Sequence, residues 1–228
     1  MVPGTEWHYS IATDFVGRVV EEVAGTDLDS YMKGAIFEPL GMLDTSFTLA
    51  EGQDDRLVGV HLRRLNSELR ELELPRPEAQ GFCSGGAGLS STPADYLRFL
   101  QALLNDCEVD GQRVLDAATA RLIGENHTGD LVIPPMRSFD PISSADVDLF
   151  PGIPTHWGLG FLINAEPVPG RRRAGSQTWA GLYNTRFWID RESGVAGLLM
   201  TQLLPFCDPA FMAVYEAFER ATYDSFLR

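Results

Sequence analysis

Hydrolytic or group-transfer chemistry needs an activated nucleophile, a metal cluster or backbone donors aimed at a developing charge, and this sequence can be searched for each. Ser84 lies in F-C-S-G-G without a glycine two residues upstream, so the nucleophile turn of G-x-S-x-G is unsupported. The four histidines are isolated and no H-E-x-x-H occurs, which argues against metal hydrolysis; no metal and no cofactor is implied. Ser30 to Lys33, S-Y-M-K, match S-x-x-K, in which a lysine one helical turn on activates a serine hydroxyl. The plainer reading is a helix already explained by its caps and by Leu28, Tyr31 and Ile36, and it is preferred. The last candidate is Trp179, Ala180 and Gly181. Two small residues leave a notch where a ligand or another backbone can approach, and the tryptophan is the one large group beside it.

The elements that must hold these residues follow from the patterning. Leu182 to Ile189 is rich in aromatic, branched and Thr residues, a polar turn runs from Asp190 to Gly194, and Val195 to Thr201 is apolar. That predicts an antiparallel hairpin with the Trp179 notch at its entry, on an edge strand. Upstream, Ser10 can cap a helix whose Ile11, Phe15, Val19 and Val23 share one face and which ends at Gly25. Thr26 and Asp29 open a second helix to about Phe37, stopped by Pro39 and Gly41. Arg56 to Leu74 alternates around Asn66 and Ser67, which predicts a peripheral hairpin. Gly85, Gly86 and Gly88 form a glycine loop for close packing, with no lysine to make it a phosphate loop. It leads to a helix capped by Thr92, with Leu97, Leu100, Leu103 and Leu104 on its buried face. Asp116 opens a short helix to about Gly124. Residues 125–155 hold five prolines and little periodicity, as expected of a lid or the wall of a binding site. His156 to Asn164 reads as a strand, and Asp208 to Arg228 as a helix covering the sheet with Phe211, Val214, Phe218 and Ala221.

Composition narrows the function. With 228 residues, 44% hydrophobic and 22% charged, the chain fits one globular domain over 1–228. Its net charge of -14 disfavours nucleic acid and anionic membrane as partners. No apolar run is long enough to span a bilayer and the start lacks a signal-peptide pattern, so a cytoplasmic location is expected. Cys83, Cys107 and Cys207 are odd in number and widely spaced, as buried thiols in a reducing compartment are.

Several blocks together resemble the serine β-lactamase and penicillin-binding protein superfamily, class C-like, and within it the family VIII carboxylesterases. They are P-G-T-E-W-H-Y-S-I-A-T-D at Pro3 to Asp14, I-F-E-P-L-G-M-L-D-T at Ile36 to Thr45, G-G-A-G-L-S-S-T-P-A-D-Y at Gly85 to Tyr96, W-G-L-G-F at Trp157 to Phe161, and W-A-G-L-Y-N-T-R-F-W-I-D from Trp179. The resemblance implies an α/β (α+β) fold, an antiparallel sheet flanked by helices, β-lactamase/transpeptidase-like and N-terminally incomplete. It implies a serine hydrolase, of carboxylesterase type, that works through an acyl-enzyme on a small-molecule ester or amide. Tyr9 falls on the tyrosine that serves as general base; the asparagine usual two residues on is replaced by Ile11. Trp179, Ala180 and Gly181 fall on the motif whose strand supplies an oxyanion-hole N–H, in its esterase form W-A-G. The family's S-x-x-K lies well upstream of the tyrosine, where this sequence is too short to hold it, whereas Ser30 and Lys33 come after. The expectation is therefore a chain inactive alone, exposing apolar surface, whose partner is a missing N-terminal half or a further copy. The alternative is a non-catalytic binding protein or vestigial fragment.

Overall fold

The computed structural model describes residue 2 and residues 4–74 and 81–226; Pro3 of the first resembling block and the expected helix's last residues, Leu227 and Arg228, lie outside the described residues. In chain order the elements are α1 (Ala12–Ala24), α2 (Leu28–Met32), a π-turn (Lys33–Phe37), α3 (Glu38–Leu40), β1 (Val60–Arg63), β2 (Leu69–Leu72) and α4 (Pro93–Leu104). There follow β3 (Glu108–Val109), β4 (Gln112–Arg113), α5 (Ala117–Leu122), β5 (Thr155–Trp157) and β6 (Leu162–Asn164). The chain continues with β7 (Gln177–Ala180), β8 (Arg186–Asp190), β9 (Val195–Leu199), β10 (Leu203–Leu204) and α6 (Pro209–Phe226). The antiparallel sheet flanked by helices is the architecture expected, arranged in two compact units. One, the sheet unit, comprises Met1–Trp7, Gly59–Glu73 and Ala117–Arg228; the other, the helical unit, comprises His8–Val58 and Leu74–Asp116.

In the sheet unit β5 to β9 pair in chain order, all antiparallel, and β1 pairs with β2 and, in parallel, with β10. The hairpin of β8 and β9 turns where the sequence places it, because Asp190 accepts from the Ser193 amide at 3.0 Å and fixes the turn. Its first strand is shorter than expected. Residues 181–185 form a turn, and Gln177–Ala180 is a strand of its own, paired with both β6 and β8, so the Trp179 strand is interior and not an edge. The strand expected over His156 to Asn164 is likewise two strands, β5 and β6. Gly158 lies against the backbone at Ile123 and Glu125, where a Cβ would overlap the Ile123 carbonyl, and its amide closes the turn onto the Phe161 carbonyl at 2.8 Å.

Helix α6 covers the sheet with a different face from the one its apolar residues suggest. Phe211, Tyr215, Glu219 and Tyr223 are buried at i+4 spacing, while Val214 is exposed and Phe218 only partly covered. The reason is Arg172, buried in the loop before β7. It donates to both Glu219 oxygens, Nε to Oε1 at 2.7 Å and Nη2 to Oε2 at 2.9 Å, and to the Tyr215 hydroxyl at 3.0 Å. Burial opposes its charge, yet Tyr215 and Glu219 hold the guanidinium pKa above its usual range. Tyr223 donates to Asp190 at 2.8 Å. Polar side chains that must be satisfied inside thus override the apolar count in setting the helix face. Trp188 of β8, fully buried, meets Tyr215 edge-on with ring centroids 5.9 Å apart.

Residues 125–155 form a wall rather than a loose strap. Ile133, Val147, Leu149 and Phe150 join the core with Leu162, Val168 and Cys207, and Met136 bridges to Val147.

In the helical unit, α1 ends at Gly25, whose φ of 68° gives the left-handed cap expected there. The second helix runs past Phe37 to Leu40. Pro39 is accommodated because the preceding turn is π-type, with the Glu38 amide bonded to the Lys33 carbonyl, and Gly41 ends it. Helix α4 starts as expected, with Thr92 accepting from the Asp95 amide at 3.3 Å. Leu100, Ala102 and Leu103 are buried whereas Leu97 is 45% exposed, so the core face is narrower than the leucine count implied. Buried Asp95 ties this helix to the 44–45 turn, accepting from the Asp44 amide at 2.8 Å and the Thr45 hydroxyl at 2.9 Å. Cys107 and Cys207 are buried, Cys83 is half-buried, and none of the three is in a disulfide.

Candidate active site

Strand β7 carries Trp179 and Ala180, and Gly181 opens the turn after it. The strand is held in register by the pairs Trp179 with Phe187 and Ala180 with Arg186. The Thr178 hydroxyl also donates to the Phe187 carbonyl. The amide of Gly181 donates to the Thr185 carbonyl at 2.8 Å, which directs it toward β8. Antiparallel pairing sends successive amides to opposite sides. The Ala180 amide therefore points away from β8, toward the side on which β6 pairs no further than Leu162 with Thr178. A Cβ on Gly181 would meet only the Thr185 side chain, at 3.8 Å, so the notch read from the sequence is real space. Of the three motif residues Ala180 offers the outward amide; Leu182, in the turn that follows, has a side chain 52% exposed.

Trp179 is half-buried and stacks edge-on to Trp157 with centroids 4.7 Å apart; Trp157 in turn meets Trp7 at 5.1 Å. These three rings pack against the Ile133–Phe150 core cluster. Trp179 is thus a half-buried aromatic at the edge of this core cluster.

In the helical unit Tyr9 is 57% exposed, on the segment that enters α1. The segment is fixed locally. Ser10 Oγ accepts from the Ala12 amide at 3.2 Å, and the Asp14 amide bonds the Ile11 carbonyl at 3.0 Å. The glycine loop lies directly on the first turns of α1. The Ser84 hydroxyl donates to Asp14, the Gly86 amide donates to Ser84 Oγ at 3.1 Å, and the Gly17 and Gly85 backbones touch. A Cβ at Gly85 would overlap the Thr13 carbonyl, so these glycines serve close packing, as read from sequence. The sequence brings Ser84 forward only as an unsupported nucleophile and does not pair it with Asp14. Asp14 looks like any first-turn acid, and nothing in the sequence near Ser84 marks its partner 70 residues away.

Ser30 and Lys33 are both exposed on the second helix; the Ser30 amide donates to the capping Asp27 at 2.9 Å. That bond lowers the Asp27 pKa and accounts for Ser30 as part of a helix cap. Among the described residues no group of three or more His, Cys, Asp or Glu side chains is placed to hold a metal ion, and no helix is long and apolar enough to cross a membrane.

A family model described as Beta-lactamase matches residues 1–221. The chain is 30% identical over 239 residues to Monacolin J acid methylbutanoyltransferase of Aspergillus terreus, an alignment that covers 97% of this chain and 55% of that protein. It is 29% identical over 231 residues to Lovastatin esterase of Penicillium rubens, with 92% and 54% covered. Among solved structures, the LovD6 mutant of simvastatin synthase (LovD) from Aspergillus terreus superposes with a TM-score of 0.83 at 27% identity, covering 99% of this chain and 57% of that one. The chain spans about half the length of the curated relatives it matches.

Proposed function

Because this chain belongs to the beta-lactamase family, we propose that it forms part of a serine hydrolase of carboxylesterase type, acting through an acyl-enzyme on a small-molecule ester. The family match over residues 1–221 carries this reading. In the proposed reaction a serine hydroxyl attacks the ester carbonyl and its proton passes by way of the Tyr9 oxygen to the departing alkoxide, which leaves as the alcohol. Water then attacks the acyl-enzyme carbonyl and restores the serine. The oxyanion formed in each step accepts from an outward amide of the Trp179–Gly181 segment, for which the Ala180 N–H has the orientation described. Preorganised donors of this kind supply a large part of acyl-transfer catalysis. Domain 1–228 is taken as the C-terminal part of the family domain, and neither Ser30 nor Ser84 is assigned as nucleophile.

A second reading, transfer of the acyl group to an alcohol in place of water, draws on the relatives named methylbutanoyltransferases. The two readings share the acyl-enzyme and differ only in what takes the acyl group.

The test is nitrophenyl ester hydrolysis by the purified chain. No turnover is expected. Turnover abolished by Tyr9→Phe but untouched by Ser30→Ala would mean that the chain has another nucleophile, and turnover abolished by Ser30→Ala would overturn the assignment of Ser30 to a helix cap.

A further inference from the structure

The sequence has one run of three consecutive basic residues, Arg171 to Arg173, in a chain whose net charge is -14. A solvated turn is the plain expectation for such a run, and the structure departs from it. The run follows a tight turn between β6 and β7, in which the Arg171 amide donates to the Val168 carbonyl at 2.9 Å and Gly170 takes a φ of 69°. Arg172 is 1% exposed, and the Arg171 side chain 13%. Arg172 turns Nε and Nη2 to Glu219, whereas its Nη1 is buried with no hydrogen-bond partner among the described residues. Arg171 Nη1 stays 3.6 Å from Glu219 and 3.7 Å from Glu216, and its Nε is likewise buried without a partner among the described residues. The backbone of Arg173 is fixed, its amide on Asp190 at 2.9 Å and its carbonyl on Asn164 and Ser176, while its side chain is exposed. Arg220 of α6 lies over the same turn: its Nη1 donates to the Pro169 carbonyl at 3.4 Å, and a Cβ on Gly170 would come within 2.5 Å of it. Buried donors are ordinarily satisfied, so this loop carries a surplus of guanidinium N–H groups.

Arg171, Arg172 and Arg173 line one cavity of about 320 Å³, together with Val168, Gly170 and Asp224; none of Trp179, Ala180 and Gly181 lines it. We propose that this cavity binds a phosphate-type oxyanion, either free phosphate or the phosphate group of a small ester. The planar fork of a guanidinium matches the spacing of phosphate oxygens, and an anion with several oxygens can accept from more than one arginine at once. The carboxylates nearby leave that role open. Both Glu219 oxygens accept from Arg172, and Asp190 accepts from the Arg173 and Ser193 amides and the Tyr223 hydroxyl. Asp224 is the carboxylate on the cavity lining itself, and it is exposed, so its repulsion of an incoming anion is screened by water. The volume exceeds that of a bare phosphate, and Pro167 and Val168 give it an apolar side on which a small organic substituent can rest. The site is independent of the ester-hydrolysis reading above.

The experiment titrates the purified chain with inorganic phosphate and, separately, with phenyl phosphate, by isothermal calorimetry at an ionic strength held constant with sodium chloride. Saturable one-to-one binding is expected, weakened at least about tenfold by Arg173→Gln and by Arg220→Gln. Asp224→Asn should tighten it, and Arg137→Gln, at an exposed arginine paired with Asp146 outside this loop, should leave it unchanged. The Arg173 and Arg220 side chains are exposed, so circular dichroism of the variants should match that of the unsubstituted protein. Tighter binding of phenyl phosphate assigns the cavity to a phosphate ester, and equal or weaker binding assigns it to the free ion. Absence of saturable binding with both probes, binding indifferent to both arginine substitutions at the loop, or an equal loss with Arg137→Gln, which marks general charge attraction, would each overturn the proposal.

Discussion

Glu219→Gln is the sharpest probe of how the sheet unit holds together. Glu219 and Arg172 are 0% and 1% exposed and joined by two hydrogen bonds of 2.7 and 2.9 Å, with Arg171 a further 3.6 Å from the carboxylate. Glutamine keeps the shape, removes the charge, and leaves the Arg172 guanidinium buried between the Phe150 and Trp188 rings, 5.1 and 5.7 Å from their centroids. Stripping one partner from a buried ion pair costs about 3–5 kcal/mol, because the other charge has no water to return to. In a chain of this length each kcal/mol moves the melting midpoint by about 2–4 °C, so the variant should melt about 6–20 °C lower. Urea unfolding followed by far-UV circular dichroism gives the free energy directly. The double substitution Arg172→Met with Glu219→Leu should regain most of the loss, since apolar residues of similar volume replace such pairs at little cost. A single variant within 1 kcal/mol of the unsubstituted protein, or a double variant no better than the single one, would refute the view that α6 is oriented by this pair.

Asp190→Asn should destabilise the protein at neutral pH and progressively less in acid. Burial pushes the Asp190 carboxyl up, but the Arg173 and Ser193 amides and the Tyr223 hydroxyl hold it below its ordinary value. Its contribution is therefore complete above about pH 4 and lost as pH falls through the lowered pKa, so unfolding free energies of the two proteins should converge below that point. Gly197→Ala should cost about 1–3 kcal/mol or more, because the added methyl overlaps the buried Trp188 ring opposite it in the β8–β9 register; a shift in tryptophan emission with an unchanged melting midpoint would contradict this. Gly85→Ala should destabilise the helical unit by forcing the glycine loop off the Thr13 carbonyl, read as faster amide exchange in α1, while Gly34→Ala, with open space around it, should not.

Elements whose signals are local were legible in the sequence. The β1–β2 and β8–β9 hairpins are set by turn residues and alternation, and the start of α4 by Thr92 and Pro93. Elements set by distant partners were not. The buried face of α6 depends on Arg172, 47 residues away from Glu219, and a count of apolar residues chose Val214 and Phe218 instead. The split of β5 from β6 depends on a backbone pressed against Gly158. At the candidate site, the small residues of W-A-G correctly announced space, whereas the direction of each amide followed only from the pairing of Gly181 with Thr185.

Asn184 fastens the far end of that turn. Fully buried, with φ at 63°, it donates to the Leu203 and Pro205 carbonyls, each at 2.8 Å, and accepts from the Cys207 amide at 2.8 Å. The Tyr183 carbonyl is held as well, by the Leu203 amide and the Thr201 hydroxyl. One rivet thus secures the exit of the loop while its leading residue, Leu182, stays open to solvent, so that position can be exchanged for larger or more polar side chains without disturbing the strands on either side. For anyone wishing to vary this turn, residue 182 is the place to build a library, and 184 the place to leave alone.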